Sequence, residues 1–337
     1  GSMSAEEDVL KIKEQHKGKL LAKPNVVGVG TGYKKTGGKD TNELCVIALV
    51  SRKKPLAALS ADALIPGELD GVVTDVVEIG FPRALQARTE KWRPAPGGVS
   101  IGHYQITAGT LGCIVRDKTT LQRLILSNNH VLANENNAQL GDAILQQGPI
   151  DGGDASSCTI AHLERYAPIN FGTEPATCNI AKGVASVLNG LAGLLGSSHR
   201  LEAIKQDVQA SNLVDAAAAR PVDDNLVLDE ILEIGVVNGV KPVTFGMSVR
   251  KSGRTTGLTT GTVTVLNTTV TINYDEGRTA LFEDQIITSP MSQGGDSGSL
   301  LVAGDSLSAV GLLFAGSDQS TIFNPIQTVL DTLKVTL

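Results

Sequence analysis

Cysteines are few in this sequence, and they stand far apart. The 337 residues include no C-x-x-C motif, and the four cysteines are Cys45, Cys113, Cys158 and Cys178. Small secreted domains have a dense cysteine framework instead, so we expect these thiols to be reduced. A zinc site of Cys158, His162 and Cys178 is the metal-binding alternative, but its spacing matches no common zinc motif. The sequence therefore predicts neither a metal site nor a cofactor.

The sequence also lacks a signal peptide, a membrane span and an excess of basic residues. Residues 4–8 are acidic, whereas a signal peptide has a basic start followed by an apolar core. No stretch reaches the roughly 18 apolar residues of a membrane span. The net charge of −6 argues against nucleic-acid binding, which needs a concentrated basic surface. We therefore expect a cytoplasmic protein with neither nucleic-acid nor membrane partners.

Aromatic residues are scarce, at 3%, whereas there are 37 glycines. This composition favours short strands joined by turns. A charged helix and three strand-like runs predict a small α+β domain over residues 1–81, followed by a proline- and glycine-rich linker over 82–98. Beyond the linker, two series of short apolar runs separate near Pro221. They predict a mainly β protein, with two β-barrels or one large sandwich.

A glycine-rich corner lies between two apolar runs of strand character, at 281–289 and 300–303. It spans Gly294 to Ser299 and has the sequence GGDSGS. Its glycines let the backbone turn tightly and leave the N–H groups of Gly295 and Ser297 free to converge on one oxygen atom, as an oxyanion hole requires. Ser297 is therefore a candidate nucleophile, with an ordinary glycine turn as the alternative.

A serine nucleophile needs a histidine base and a carboxylate that orients the histidine. All five histidines precede Ser297, which excludes the Ser–Asp–His order of α/β-hydrolases. His130 is the best placed, because it follows an apolar strand at 124–127 and a polar pair. Asp215 lies in a run of small apolar residues, where an unpaired carboxylate would be costly, so a partner is implied. The predicted catalytic residues are His130, Asp215 and Ser297.

Three segments around these residues resemble the signatures of chymotrypsin-fold serine proteases. They are LSNNHVL at 126–132, LVDAA at 213–217 and GDSG at 295–298. The segment VRKSGRTTG at 249–257 is similar to a strand and turn of the bacterial α-lytic protease and streptogrisin group. The layout, including the N-terminal domain, also resembles bacterial relatives of the plant narrow-leaf protein, a trypsin-like protease group.

This resemblance implies a chymotrypsin-like double β-barrel over residues 99–337. The first barrel would span 99–221 and include an insert at 170–210, the second would span 222–324, and a C-terminal helix would follow at 325–334. The implied function is that of a serine endopeptidase acting on protein or peptide substrates. The alternative is a catalytically weak scaffold of the same fold that binds protein partners. The sequence leaves open whether copies of the chain form a homo-oligomer.

The resemblance also assigns the primary specificity pocket. Its base would be formed by Met291 and Ser292, and its wall and substrate-pairing edge strand by Phe314, Ala315 and Gly316. No acidic residue lies at this base, and a buried cation without a partner is strongly disfavoured. The expected preference is therefore for an apolar residue before the cut.

The aspartate before the nucleophile, Asp296, is expected to pair with a basic side chain of the chain itself. By the resemblance, that side chain is Lys251, with Arg254 as second choice. The sequence has no Arg-Ile-Val-Gly-Gly processing site, and the nearest candidate, at 97–101, lacks a cleavage signal. We therefore expect the chain to be competent with its N-terminal domain attached.

Overall fold

The structure, a computed structural model, describes residues 4–82, 85–175, 184–189, 204–206 and 211–337. The chain forms two compact units, residues 1–85 and residues 86–337. No helix in these described ranges is long and apolar enough to cross a membrane.

The N-terminal unit is one helix packed on a four-stranded sheet. Its elements are α1 (Ala5–Leu21), β1 (Val26–Thr36), β2 (Lys39–Val50), two 3-10 turns (Leu56–Ala58 and Ala61–Ala63), β3 (Glu68–Leu69) and β4 (Val72–Glu78). A capping box fixes the start of α1, because Ser4 and Glu7 each accept a hydrogen bond from the other's backbone N–H. The sheet order is β1-β2-β4-β3, and Val9 of α1 packs with Val46 and Leu69 beneath it.

The second unit is built mainly of short strands. Its first part comprises β5 (Ala95–Gly97), β6 (Ser100–His103), β7 (Gly109–Thr110), β8 (Cys113–Asp117), β9 (Arg123–Ser127), α2 (Asn129–Leu132), β10 (Ala143–Leu145), β11 (Thr159–Tyr166), β12 (Thr173–Pro175), α3 (184–189), β13 (Ile204–Gln206), β14 (Ser211–Asn212), β15 (Ala217–Pro221), β16 (Val227–Ile231) and β17 (Gly235–Val236). Its second part comprises β18 (Ser248–Gly253), β19 (Gly257–Asn273), β20 (Thr279–Thr288), β21 (Leu300–Ala303), β22 (Ala309–Gly316), β23 (Thr321–Pro325), α4 (Ile326–Leu333) and β24 (Val335–Thr336). Short 3-10 turns lie at Asn134–Asn136, Pro149–Asp151, Asp224–Leu226 and Asp275–Gly277.

Two large sheets dominate this unit. The first has the order β24-β8-β9-β15-β11-β10-β6-β7 and surrounds a core that includes Ile101, Ile125 and Ile144. The second has the order β14-β20-β19-β18-β21-β22-β23, and β20 also pairs with β23, so that six of its strands close into a ring. Helix α4 follows the second sheet and has one side buried. Strand β24 then pairs with β8 of the first sheet. The predicted mainly β, chymotrypsin-like double-barrel fold with a C-terminal helix and a preceding α+β domain is confirmed.

Residues 82–98 were predicted to form a linker, but from residue 86 onward the chain is part of the second unit. Trp92 is buried, and its backbone N–H donates to Gln146 Oε1 at 2.8 Å. Strand β5 pairs with β16. The prolines suggested a linker, but the buried Trp92 and the strand pairing hold this segment in place. Most of the insert predicted at 170–210 lies outside the described residues.

Candidate active site

His130 and Asp215 are in direct contact. His130 is the second residue of α2, which starts at Asn129, and Asn128 alone separates α2 from β9; Asp215 lies between β14 and β15. His130 Nδ1 is 2.6 Å from Asp215 Oδ2, and the backbone N–H of His130 donates to Oδ1 at 3.1 Å. Asp215 is fully buried, whereas 23% of the His130 side chain is exposed. The imidazole is thus oriented by a carboxylate on one side and open to solvent on the other.

The surroundings of His130 favour its protonated form. Burial lowers the pKa of the imidazole, but the charge of Asp215 and its hydrogen bond, together with the more distant Glu135 and Asp275, outweigh burial and raise the pKa. A histidine in this environment accepts a proton readily. It can therefore act as a base whose protonated state is stabilised.

Several polar residues that sequence reasoning missed also hold Asp215. The Tyr274 hydroxyl donates to Asp215 Oδ2 at 2.8 Å. The backbone N–H of Asp215 donates to Asn324 Oδ1 at 2.9 Å, and Asn324 in turn donates to Gln285 at 2.6 Å. These residues come from β20, β23 and the connection after β19, so residues of the second sheet position an aspartate in the segment that leads to β15 of the first. They are 59 to 109 residues from Asp215 along the chain, and no local pattern marks them.

Ser297 lies in the corner before β21 and is partly exposed. Its carbonyl accepts a hydrogen bond from the backbone N–H of Thr110 at 2.8 Å. A Cβ at Gly109 would overlap Val131 and lie 3.0 Å from the Ser297 carbonyl oxygen, so Ser297 and the residue after His130 border the same glycine. Among the described residues, the side-chain hydrogen bond of His130 goes to Asp215, and no hydrogen bond joins His130 to Ser297 Oγ.

The corner around Ser297 requires glycine at two positions. Gly295 has φ +96° and Gly298 has φ +97°, a region that L side chains rarely adopt. A Cβ at Gly295 would overlap Thr255 Oγ1, and a Cβ at Gly298 would overlap Ser127 Oγ. Among the described residues, no acceptor faces the amide N–H groups of Gly295 and Ser297. Two donors are therefore left unused beside the serine.

Asp296 points away from this corner into the protein. It is fully buried and lies 3.9 Å from the equally buried Nζ of Lys251. Thr256 bridges them, because its hydroxyl accepts from Lys251 Nζ at 2.7 Å and donates to Asp296 Oδ2 at 2.6 Å. Burial lowers the pKa of Lys251 to about 8, although Asp296 acts in the opposite direction. Lys251, the first choice from sequence, is thus the cationic neighbour of Asp296.

The second choice, Arg254, has a different partner. Its Nε donates to Asp151 Oδ2 at 2.7 Å, and its pKa is raised chiefly by that hydrogen bond. Asp151 also accepts from the Ser100 hydroxyl at 2.6 Å. Arg254 as the ion-pair partner of Asp296 is therefore wrong. Its side chain extends toward the 3-10 turn at Pro149–Asp151 instead, which the sequence order did not reveal.

The predicted specificity residues are only partly brought together. Ser292 Oγ is 2.8 Å from Thr321 Oγ1, and a Cβ at Gly316 would lie 3.2 Å from Ser292 Oγ, so Ser292 and Gly316 are neighbours. Met291 is buried in the core of the second sheet. Strand β22 pairs with β21 only as far as Leu312. Beyond that point Ala315 and Gly316 pair on one side, with β23, after a bulge at Phe314.

Phe314 does not present its ring as a pocket wall. It is buried, and its ring centroid lies 4.7 Å from that of Phe282. The two rings belong to a core cluster that also includes Ile322, and Ala315 packs against the same cluster. The apolar character of Phe314 thus fills the core, and this prediction of a wall residue is corrected.

The alternative zinc ligands are not assembled in the described residues. Cys158 is buried and His162 is exposed, with its Nδ1 at 3.0 Å from the Gly141 carbonyl oxygen. Cys178 lies outside the described residues. In the ranges that are described, no three potential metal ligands form a group.

Comparison with known proteins finds similarity in sequence to streptogrisin-A and similarity in structure to several solved proteins. No protein-family model matches the chain. The chain is 37% identical over 97 residues to streptogrisin-A of Streptomyces griseus. The matched segment covers 27% of this chain and only 31% of the length of streptogrisin-A. Among solved structures, Nocardiopsis protease has 17% identity and a TM-score of 0.46, with 72% of this chain and 99% of that one covered. Thermobifida fusca protease A has 20% identity and a TM-score of 0.45, with 72% and 98% covered.

The match to streptogrisin-A supports, independently of the motifs, the resemblance that the motifs indicate. The sheet order of the second unit, with its closed ring, agrees with the double-barrel expectation. The match in sequence is to a member of the streptogrisin group, to which the segment at 249–257 was similar. The chain resembles the bacterial serine proteases of the chymotrypsin fold.

Proposed function

We propose that this chain is a serine endopeptidase, with Ser297 as nucleophile, His130 as base and Asp215 as the residue that orients the base. The observation that supports this most directly is the buried Asp215 carboxylate bound to both the backbone N–H and Nδ1 of His130. Because Nδ1 is occupied, Nε2 is the nitrogen left to exchange a proton with substrate and nucleophile.

In the proposed reaction, Ser297 Oγ attacks the scissile carbonyl carbon while His130 Nε2 takes the hydroxyl proton. The carbonyl oxygen becomes an oxyanion, for which the unused N–H groups of Gly295 and Ser297 are the candidate donors. His130 then gives the proton to the leaving amine, and an acyl-enzyme is formed. Water attacks this ester with His130 again as base. The carboxylic acid product is released and the free Ser297 hydroxyl is regenerated.

The proposed substrates are proteins or peptides that bind in extended form. Ala315 and Gly316 pair only with β23, so their other edge is available for a substrate strand, and such pairing recognises backbone rather than particular side chains. Ser292 and Gly316 lie beside this edge, where the side chain before the cut would enter.

A fluorophosphonate probe, which labels an activated serine, tests the proposal. We expect labelling of the wild type and of Ser156→Ala, a surface serine whose partner is Asp154, but none of Ser297→Ala. Correct folding of each variant is checked by circular dichroism. A folded, intact wild type that takes up no label would contradict the endopeptidase and favour the scaffold alternative.

A further inference from the structure

The hydroxyl of a half-buried tyrosine touches the proposed site, and neither the motifs nor the proposed reaction uses it. We propose that Tyr274 is a positioning residue for the proposed reaction, whose hydroxyl holds the Asp215 carboxylate in the orientation that pairs with His130. This inference rests on the proposed function, since it concerns the same aspartate and histidine.

Among the described residues, three hydrogen bonds determine the orientation of the Asp215 side chain. The backbone N–H of His130 donates to Oδ1, whereas Nδ1 of His130 and the hydroxyl of Tyr274 share Oδ2, at 2.6 and 2.8 Å. Asp215 is fully buried, so donors of the protein must replace the water that an ionised carboxylate would otherwise bind. Tyr274 is the donor that does not belong to His130, and it approaches from the second sheet.

The tyrosine ring is itself fixed by other rings. Its centroid lies 5.4 Å from that of Phe171 in an edge contact and 6.4 Å from that of Phe282 in a stacked contact. His130 presents its ring to Tyr274 at 6.1 Å and 75°. Edge and offset contacts of this kind favour one ring orientation. The hydroxyl is therefore placed by packing, and its hydrogen bond to Asp215 requires little further ordering.

Tyr274 remains a donor throughout the neutral pH range. Burial, and then the charge and hydrogen bond of Asp215, raise the pKa of the phenol well above 10. A donating hydroxyl offsets part of the negative charge on Oδ2. Because that charge raises the pKa of His130, Tyr274 limits how far it rises. The geometry thus couples a tyrosine of the second sheet to the basicity of His130.

Other charged groups around His130 would stay unchanged when this hydroxyl is removed. Glu135 and Asp275 both raise the pKa of His130. Arg278 forms an ion pair with Glu135 and lies with its guanidinium carbon 4.1 Å from the ring centroid of Phe171. None of these contacts involves the Tyr274 oxygen, so a variant that keeps the ring isolates the effect of the hydroxyl.

The test is Tyr274→Phe in the whole chain, with two readouts. The first is the titration of the His130 imidazole by NMR, assigned with a His130→Gln sample, and the second is the pH dependence of peptidase kcat/KM. We expect the His130 pKa and the acidic limb of the profile to rise together by about one unit, because one donor to a buried carboxylate is lost. We also expect kcat to fall about tenfold on the plateau with KM little changed, as for a group that positions rather than binds.

Tyr166→Phe is the matched control, since Tyr166 is a partly buried tyrosine that packs in the first-sheet core. In this control variant, the pKa of His130 and the peptidase kcat should equal those of the wild type. An unchanged His130 titration in folded Tyr274→Phe would overturn the inference, even if activity fell. A wild type without peptidase activity would contradict the proposed function instead, and the NMR titration would still decide the role of Tyr274.

Discussion

Several polar contacts at the candidate site converge on Asp215. Its side chain accepts from His130 and Tyr274, its backbone N–H donates to Asn324, and its carbonyl accepts from the side chain of Asn128 at 2.8 Å. Full burial of a carboxylate is costly unless donors replace its water. Here hydrogen bonds from the protein stabilise the charge of Asp215, and hydrogen bonds of its backbone fix its position. Replacing the carboxylate by a group of the same size should therefore affect function more than folding.

Asp215→Asn should leave the protein folded but reduce peptidase turnover by roughly 10⁴-fold. An amide of the same size fills the site, yet its NH2 group, when it faces Nδ1, favours the wrong tautomer of His130. In either orientation the amide lacks the charge that stabilises the protonated form of His130. Single-turnover kinetics and the thermal unfolding midpoint measure the two effects. Wild-type activity in this variant would assign the role to another acid.

His130→Ala and Ser297→Ala should each reduce turnover by about 10³-fold or more, and the double variant should lose little further. The reason is that base and nucleophile act as one unit, so that removing either abolishes the same step. The measurement is kcat/KM of the two single variants and the double variant on one peptide substrate. Losses that multiply would mean that the two residues act independently, contrary to the proposed mechanism.

At the scale of elements, the turn between β18 and β19 braces the serine corner. The backbone N–H groups of Thr255 and Thr256 both donate to Asp296 Oδ1, and the Thr255 hydroxyl donates to the Gly294 carbonyl oxygen at 2.7 Å. Gln293 also donates to Asp296, at 2.9 Å. The peptide planes that would bind an oxyanion are therefore oriented by a neighbouring turn, through the aspartate between them.

Lys251 should set an alkaline limit to activity. Its pKa is lowered to about 8, below the usual value of 10.5, so Nζ is charged at lower pH and neutral at higher pH. Above pH about 8, Lys251 is neutral and Asp296 loses its cationic neighbour. The serine corner that Asp296 orients is then held less firmly, so kcat/KM should decline. Lys251→Met should be roughly tenfold less active below that pH and should lack this limb, because its side chain never carries a charge.

The control for this prediction is Lys241→Met, because Lys241 is a more exposed lysine paired with Asp305. Its pH profile should match that of the wild type. An alkaline limb that persists at the same pH in folded Lys251→Met would assign it to another group.

The edge of β22 should determine specificity together with Ser292. No carboxylate contacts Ser292 or Gly316 in the described hydrogen bonds and ion pairs, so the wild type should cleave after apolar residues. Ser292→Asp should shift the preference toward Lys and Arg, whereas the uncharged Ser292→Asn should not. Profiling with a peptide library measures this. Cleavage by the wild type mainly after Arg or Lys would contradict the apolar prediction.

For the whole molecule, the sequence predicted the elements better than the contacts between them. The mainly β architecture followed from strand-like runs and glycine content, and His130 and Asp215 could be picked because each lies in a distinctive local segment. Tyr274 and Asn324 could not, since nothing beside them in the sequence marks a contact with Asp215. Arg254 was given the wrong carboxylate for the same reason. Burial of side chains from distant strands is decided by packing, and a single sequence does not record it.

The arrangement around Asp296 bears on activation of the whole chain. An N-terminal amine freed by cleavage of the chain would be needed as a partner of Asp296 only if this buried carboxylate had none. Lys251 and four hydrogen bonds from residues 255, 256 and 293 already surround it. The one candidate processing segment, at 97–101, is buried within β5, β6 and the residues between them. We therefore predict that the chain is active with residues 1–85 attached. Mass spectrometry of the probe-labelled species should find the label on the 337-residue chain. Label found solely on a fragment that starts near residues 90–100 would instead identify the N-terminal unit as a pro-segment.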